Sequence, residues 1–145
     1  MKKLFITALI AIAVGGAAFA TPKKLSSIIL ANFNVEFKGA SNVKWVVTDD
    51  YSKASFKEGN TKREIFYNSS GDIIASSKSI QLDELPINAK RTFAKMFDGY
   101  NVKEAIRFDG FDEVSYYISG ENEKESVILK VSDCNQVSMF QKTKK

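Results

Sequence analysis

Residues 33–45 read FNVEFKGASNVKW, and residues 93–104 read FAKMFDGYNVKE. Phe33 and Phe37 stand 60 positions before Phe93 and Phe97, and Asn42-Val43-Lys44 stands 59 before Asn101-Val102-Lys103. Each stretch sets two phenylalanines four residues apart, as one helical face requires. A glycine follows, and then Asn-Val-Lys opens an alternating run. A repeated tripeptide says little alone; its place in an ordered series gives it weight. The series continues with Ser55-Phe56 and Ser115-Tyr116 at 60, and with Ile65-Phe66-Tyr67 and Val127-Ile128-Leu129 at 62. A slow drift in offset is what small turn insertions produce.

Working outward, residues 25–38 carry Leu25, Ile28, Ile29, Phe33 and Phe37 at helical spacing, with Ser26 or Ser27 as cap and Gly39 as stop. Four strand-like runs follow, at 43–48, 51–57, 62–67 and 72–81, the last more polar and so expected at an edge. Leu85-Pro86 opens a second helix whose apolar face holds Ala89, Phe93, Met96, Phe97 and Tyr100. Four more runs follow, at 102–109, 113–119, 126–132 and 136–141. The predicted fold class is α+β: two tandem repeats, about 25–82 and 85–141, each a helix plus a four-stranded antiparallel sheet. A helix-backed meander buries one sheet face and leaves the other open. Two such halves could extend one sheet with both helices on one side, or stack as two sheets.

The first twenty residues, MKKLFITALIAIAVGGAAFA, join a basic start, an apolar run and Ala18-Phe19-Ala20. That is the pattern of a secretory signal peptide cut between Ala20 and Thr21. A membrane anchor is the competing reading, but the run is short for one. Cleavage leaves a single exported domain at 21–145 and takes Lys2 and Lys3 with it, so 19 basic side chains face 17 acidic ones. The basic excess sits at the ends, in Lys23-Lys24 and in residues 142–145, and no concentrated basic face points to nucleic acid. The expected location is the periplasm or the cell exterior, with no stable membrane insertion after cleavage. Cys134 is the single cysteine, so the fold must stand without an internal disulfide.

The order of these motifs resembles the secreted PepSY-like, β-lactamase-inhibitor-protein-like family of small bacterial proteins. The residues that carry the resemblance are the spaced phenylalanines, NVKW at 42–45 and the Tyr51, Ala54 and Phe56 strand. IFYNSSGD at 65–72 and Leu85-Pro86 before the second helix complete it. It spans 25–140 and implies a tandem α+β fold whose sheet clasps an enzyme. Family members that inhibit β-lactamase carry disulfides within their repeats, a feature Cys134 cannot supply alone.

The chemistry the residues offer is sparse. There is no histidine, so the commonest acid–base group and metal ligand is missing. Asp49-Asp50 and the Asp109, Asp112, Glu113 group are the densest carboxylates, but they sit in turn-like segments where Asp bonds its own backbone. Residues 68–72, NSSGD, lack the carboxylate density of a calcium loop. No catalytic set, metal site or cofactor is expected. Trp45, Phe56, Tyr67, Phe108 and Tyr116 are assigned to the helix-backed core. Alternation instead turns Phe66, Tyr117 and Ile128 to the far face, where they would form an exposed apolar set able to contact a partner. The sequence therefore predicts a non-enzymatic module that binds an extracytoplasmic protein or peptide through its open sheet face, in one form as an enzyme inhibitor. An envelope binder of lipid, glycan or peptide, with its pocket between helices and sheet, is the alternative. A hydrolase built on Asp109 and Asp112 ranks last.

Overall fold

Ser26 starts the first helix as its side-chain oxygen accepts the Ile28 backbone N–H at 3.3 Å. This computed structural model describes residues 24–132, Cys134 and residues 136–145. The expected leader, with Ala20 and Thr21 at its cleavage point, lies outside the described residues. Helix α1 runs Ser27–Glu36 and ends where the Phe37 N–H bonds the Phe33 carbonyl. Helix α2 runs Ile87–Met96 after a short 3-10 turn at Leu82–Glu84. Pro86 sits just ahead of its first turn, and the Phe97 N–H bonds the Phe93 carbonyl in the same way.

The strands are β1 (Ala40–Val47), β2 (Ser52–Glu58), β3 (Thr61–Tyr67), β4 (Ile73–Ile80), β5 (Asn101–Asp109), β6 (Val114–Glu121), β7 (Glu125–Ser132) and β8 (Val137–Lys144). They form one antiparallel sheet in chain order, β1 to β8. The link at its middle is β4 to β5, from Ser76 opposite Asp109 to Ile80 opposite Ala105. This rules out two stacked sheets. It also corrects the expected edge position of β4, which lies at the centre of the sheet. Its polarity comes from small serines, and these have a packing role described below.

Irregularities recur along the sheet. β1 bulges against β2 between Ser41 and Lys44, and β5 against β6 between Val102 and Glu104, so both Asn-Val-Lys segments fall on bulges. β3 and β4 shift register between Phe66 and Tyr67, and β7 and β8 between Ile128 and Leu129. The β2–β3 and β6–β7 pairings run without a break. A bulge adds a residue to one strand, bends it and increases its twist. Asn42, at φ 56°, takes the left-handed backbone that Asn tolerates. After α2 that conformation falls to Gly99, at φ 82°. Gly39, expected to end α1, is not left-handed.

Two apolar clusters lie between helices and sheet. Under α1, Ile29, Phe33 and Phe37 meet Ala54, Phe56, Ile65 and Tyr67. Phe33 stands edge-on to Trp45 and to Phe56, each with ring centroids 5.1 Å apart, a geometry worth about 0.5–1.5 kcal/mol per pair beyond area burial. Under α2, Ala89, Phe93 and Phe97 meet Ala105, Ile118, Val127 and Leu129. Ile28 and Met96 were expected on buried faces and are instead largely exposed. α1 is apolar nearly all round, so spacing alone could not say which of its sides meets the sheet.

Candidate binding face

Opposite the helices the sheet carries a third apolar cluster, built from alternation. In β3, Ile65 and Tyr67 point to α1, so Phe66 points away from it. In β5, Ala105 points to α2, so Ile106 and Phe108 point away. This corrects the placement of Phe108 in the helix-backed core. β6 contributes Tyr117, β7 contributes Ile128, and the bulged positions of β4 and β8 contribute Ile74 and Phe140. The rings form a band across the strands. Tyr51 lies 5.5 Å from Phe66, Phe66 lies 6.3 Å from Phe108, and Tyr117 lies 5.3 Å from Phe140. Phe66 and Phe108 belong to strands separated by β4. They meet because β4 presents only Ala75 and Ser77 between them.

All three predicted contact residues, Phe66, Tyr117 and Ile128, lie in this cluster. The expectation that they form an exposed set does not hold. Phe66 and Tyr117 are each 3% exposed, and Ile128 is half-buried. Large side chains leaning over small neighbours shield one another here, with no covering helix or strand among the described residues. The exposed fringe of the face is made of Val46 at one edge and Gln141 at the other. A residue the sequence reading passed over stands out at the tip of the β5–β6 hairpin. Phe111 is 88% exposed, and its only signal was an aromatic ring inside an Asp-Gly-Phe-Asp turn.

A polar group is set into the same face. Lys53 is 4% exposed and its Nζ lies 3.0 Å from Glu64 Oε1. The Ser55 hydroxyl donates to the same oxygen at 3.1 Å, and Ser77 Oγ lies 3.4 Å from Oε2. Lys53 also sits 5.8 Å from the centre of the Phe66 ring. A buried carboxylate so fully bonded is held in place, because loss of any partner leaves a charge in low dielectric. Burial, aided by the negative charges of Glu64 and Asp50, pushes the Tyr51 hydroxyl up. Burial, with Glu113 behind it, pushes Tyr117 up to about 12.

The carboxylates weighed for catalysis do not converge. Asp109 lies on the helix side and accepts from Arg107 at 2.7 and 3.0 Å. Glu113 turns to the other side, where Lys130 Nζ donates to it at 2.5 Å and Ser115 at 3.1 Å. The Lys130 bond, before the Ser115 bond, holds Glu113 below the usual carboxylate range. Among the described residues no group of three or more His, Cys, Asp or Glu side chains is placed to hold a metal. Among them, too, no helix is long and apolar enough to cross a membrane. A surface hollow of about 570 Å³ lies away from the aromatic band, at the end of the β6–β7 hairpin, lined by Asn101, Glu121, Asn122 and Lys145 among others.

No family model matches the chain. No curated protein sequence matches it either. Solved structures do. A predicted periplasmic protein of Bacteroides eggerthii superposes with a TM-score of 0.70 at 11% identity, over 84% of this chain and 90% of the other. A DUF2874 family protein of Bacteroides uniformis gives 0.67 at 12% identity, over 83% and 90%. A BLIP-like protein of Bacteroides fragilis gives 0.62 at 14% identity, over 86% and 89%. At these identities the likeness is one of fold: an open eight-stranded antiparallel sheet with two helices, α+β and BLIP-like.

Proposed function

We propose that this chain is an exported, non-enzymatic binding module that takes a protein or peptide on its helix-free sheet face, in the periplasm or outside the cell. The observation that carries the reading is the division of the sheet. Both helices back one face, while the other holds an aromatic band that no helix or strand among the described residues covers. The buried members, Phe66 and Tyr117, give that face its shape, and the exposed fringe with Phe111 supplies contact area. In its narrower form the reading makes the partner an extracytoplasmic enzyme that the chain inhibits. The support for that form is the fold shared with the BLIP-like protein of Bacteroides fragilis. The shared fold of the predicted periplasmic Bacteroides eggerthii protein supports the location. The reading also takes the halves 25–82 and 85–141 as two copies of one block, since bulges recur at both Asn-Val-Lys segments.

Site-specific photo-crosslinking tests the face. A crosslinking residue placed at Val46 or Gln141, on the helix-free side, is expected to trap one discrete envelope adduct that excess unlabelled chain competes away. The same residue at Arg91, on the outer side of α2, is expected to trap none. Adducts from Arg91 alone, or equally from every position, would overturn the assignment of the face.

A further inference from the structure

The seam between the two helices carries a charge arrangement that the fold does not explain. Arg63 on β3 stands directly opposite Lys78 on β4, and Lys78 directly opposite Arg107 on β5. Residues opposite one another share a sheet face. Arg63 is in phase with Ile65 and Tyr67 under α1, and Arg107 with Ala105 under α2. All three cations therefore lie on the helix side, across strands spaced about 4.8 Å apart. α1 packs on residues of β1 to β3, and α2 on residues of β5 to β8. From β4 only Ile80 packs into either helix-backed cluster.

Like charges placed directly opposite repel. Two of the three are partly offset. Arg63 pairs with Glu58 at 2.6 Å, and Arg107 with Asp109 at 2.7 Å. Lys78, half-buried in the middle, has no ion pair among the described residues. The Nε of Arg63 is buried and, among the described residues, donates to no acceptor; the guanidinium lies over the Phe37 ring, 5.2 Å from its centre.

We infer that this seam is a binding site for a phosphate-class oxyanion, held by Arg63, Lys78 and Arg107. Such an anion would remove the repulsion along the row. Guanidinium groups recognise oxyanions through paired N–H bonds, with the lysine acting as a point charge. The same chemistry is presented by free phosphate, by a small phosphate monoester or by a phospholipid headgroup. The site lies on the opposite side of the sheet from the aromatic band and does not depend on it.

The purified chain, titrated with inorganic phosphate against chloride at matched ionic strength, is expected to melt at higher temperature as phosphate rises. Binding to vesicles containing anionic phospholipid, compared with neutral vesicles, separates the sources. Phosphate response alone assigns a soluble ligand, and vesicle binding alone or with it assigns a headgroup. Lys78→Gln is the decisive variant. Without phosphate it is expected to melt at or above the wild type, because a repulsion has been removed. With phosphate the order is expected to invert, and affinity to fall at least tenfold, whereas Arg91→Gln keeps the wild-type response. No response of the wild type to phosphate or to anionic vesicles overturns the site. So does a Lys78→Gln response equal to wild type, or an equal loss in Arg91→Gln that marks general surface charge.

Discussion

Glu64 is the residue on which most of the helix-free face's polar order depends, since Lys53, Ser55 and Ser77 all point to its carboxylate. Lys53 has 5% of its side chain exposed and Glu64 13%, so the pair lives in low dielectric. Removing one partner leaves an uncompensated charge, which costs about 3–5 kcal/mol, whereas replacing both with apolar residues costs far less. Glu64→Ala should therefore lower the urea midpoint sharply, and Lys53→Met with Glu64→Leu should recover most of the loss. Tyr67 makes the opposite case on the helix side. It is wholly buried, and its hydroxyl has no hydrogen-bond partner among the described residues. An unbonded buried hydroxyl costs about 1–3 kcal/mol, so Tyr67→Phe should raise stability, and a lower midpoint would show that the hydroxyl is bonded in solution. Gly120 is fixed by contact rather than by backbone angle. A Cβ there would stand 2.7 Å from Phe93 Cζ, and Gly120→Ala should cost about 1–3 kcal/mol as α2 is lifted from the sheet.

At the scale of elements, β4 shows why the meander stays one layer thick and yet buries rings on its bare side. Its small residues, Ala75 and Ser77, leave room for Phe66 and Phe108 to meet above it at 6.3 Å. Ala75→Leu should crowd those rings and lower the thermal midpoint, by about 1–3 kcal/mol of stability; a rise would mean that the band holds a void. All eight strands and both helices were legible in the sequence, because period 2 and period 3.6 are written in runs such as 43–48 and 87–97. Less legible was what depends on neighbours brought together only by the fold. Serines in 72–81 read as an edge, since polarity looks the same whether it faces water or makes space for another strand's ring. Phe66 and Tyr117 could be assigned to the far face by alternation, but their burial depends on residues such as Phe108 and Phe140 two strands away. The outer side of α1, with Val35 at 72% exposure, could not be told from its inner side, because both are apolar.

Across the whole molecule the ion pairs are unevenly placed, and acid should reveal it. Glu113, Glu121 and Glu125 are all held below the ordinary carboxylate range. Glu113 is lowered mainly by Lys130, Glu121 mainly by Lys103 and then Lys145, and Glu125 mainly by Lys142 and then the Tyr100 hydroxyl. All three lie between 101 and 145, and their bonds tie β5 to β6, the β5–β6 turn to β7, β6 to Lys145, and β7 to β8. A carboxyl lowered in the folded state favours folding at pH above its unfolded value, near 4.5, and that contribution fades as pH falls through the lower folded value. The carboxylates are exposed enough for solvent and salt to screen them, so the effect is modest and shrinks at high ionic strength. Between pH 5 and pH 3, amide exchange in β8 and along the β6–β7 pairing should therefore quicken before exchange in β2 and β3. Under α1, the aromatic cluster around Phe33, Trp45 and Phe56 packs through contacts that do not titrate, and on the other face Glu64 is closed in by Lys53, Ser55 and Ser77, so the first half should keep its protection longer. Exchange that quickened together over both halves would mean that the β4–β5 pairing makes the sheet a single cooperative unit, with acid acting on the whole rather than on the second half.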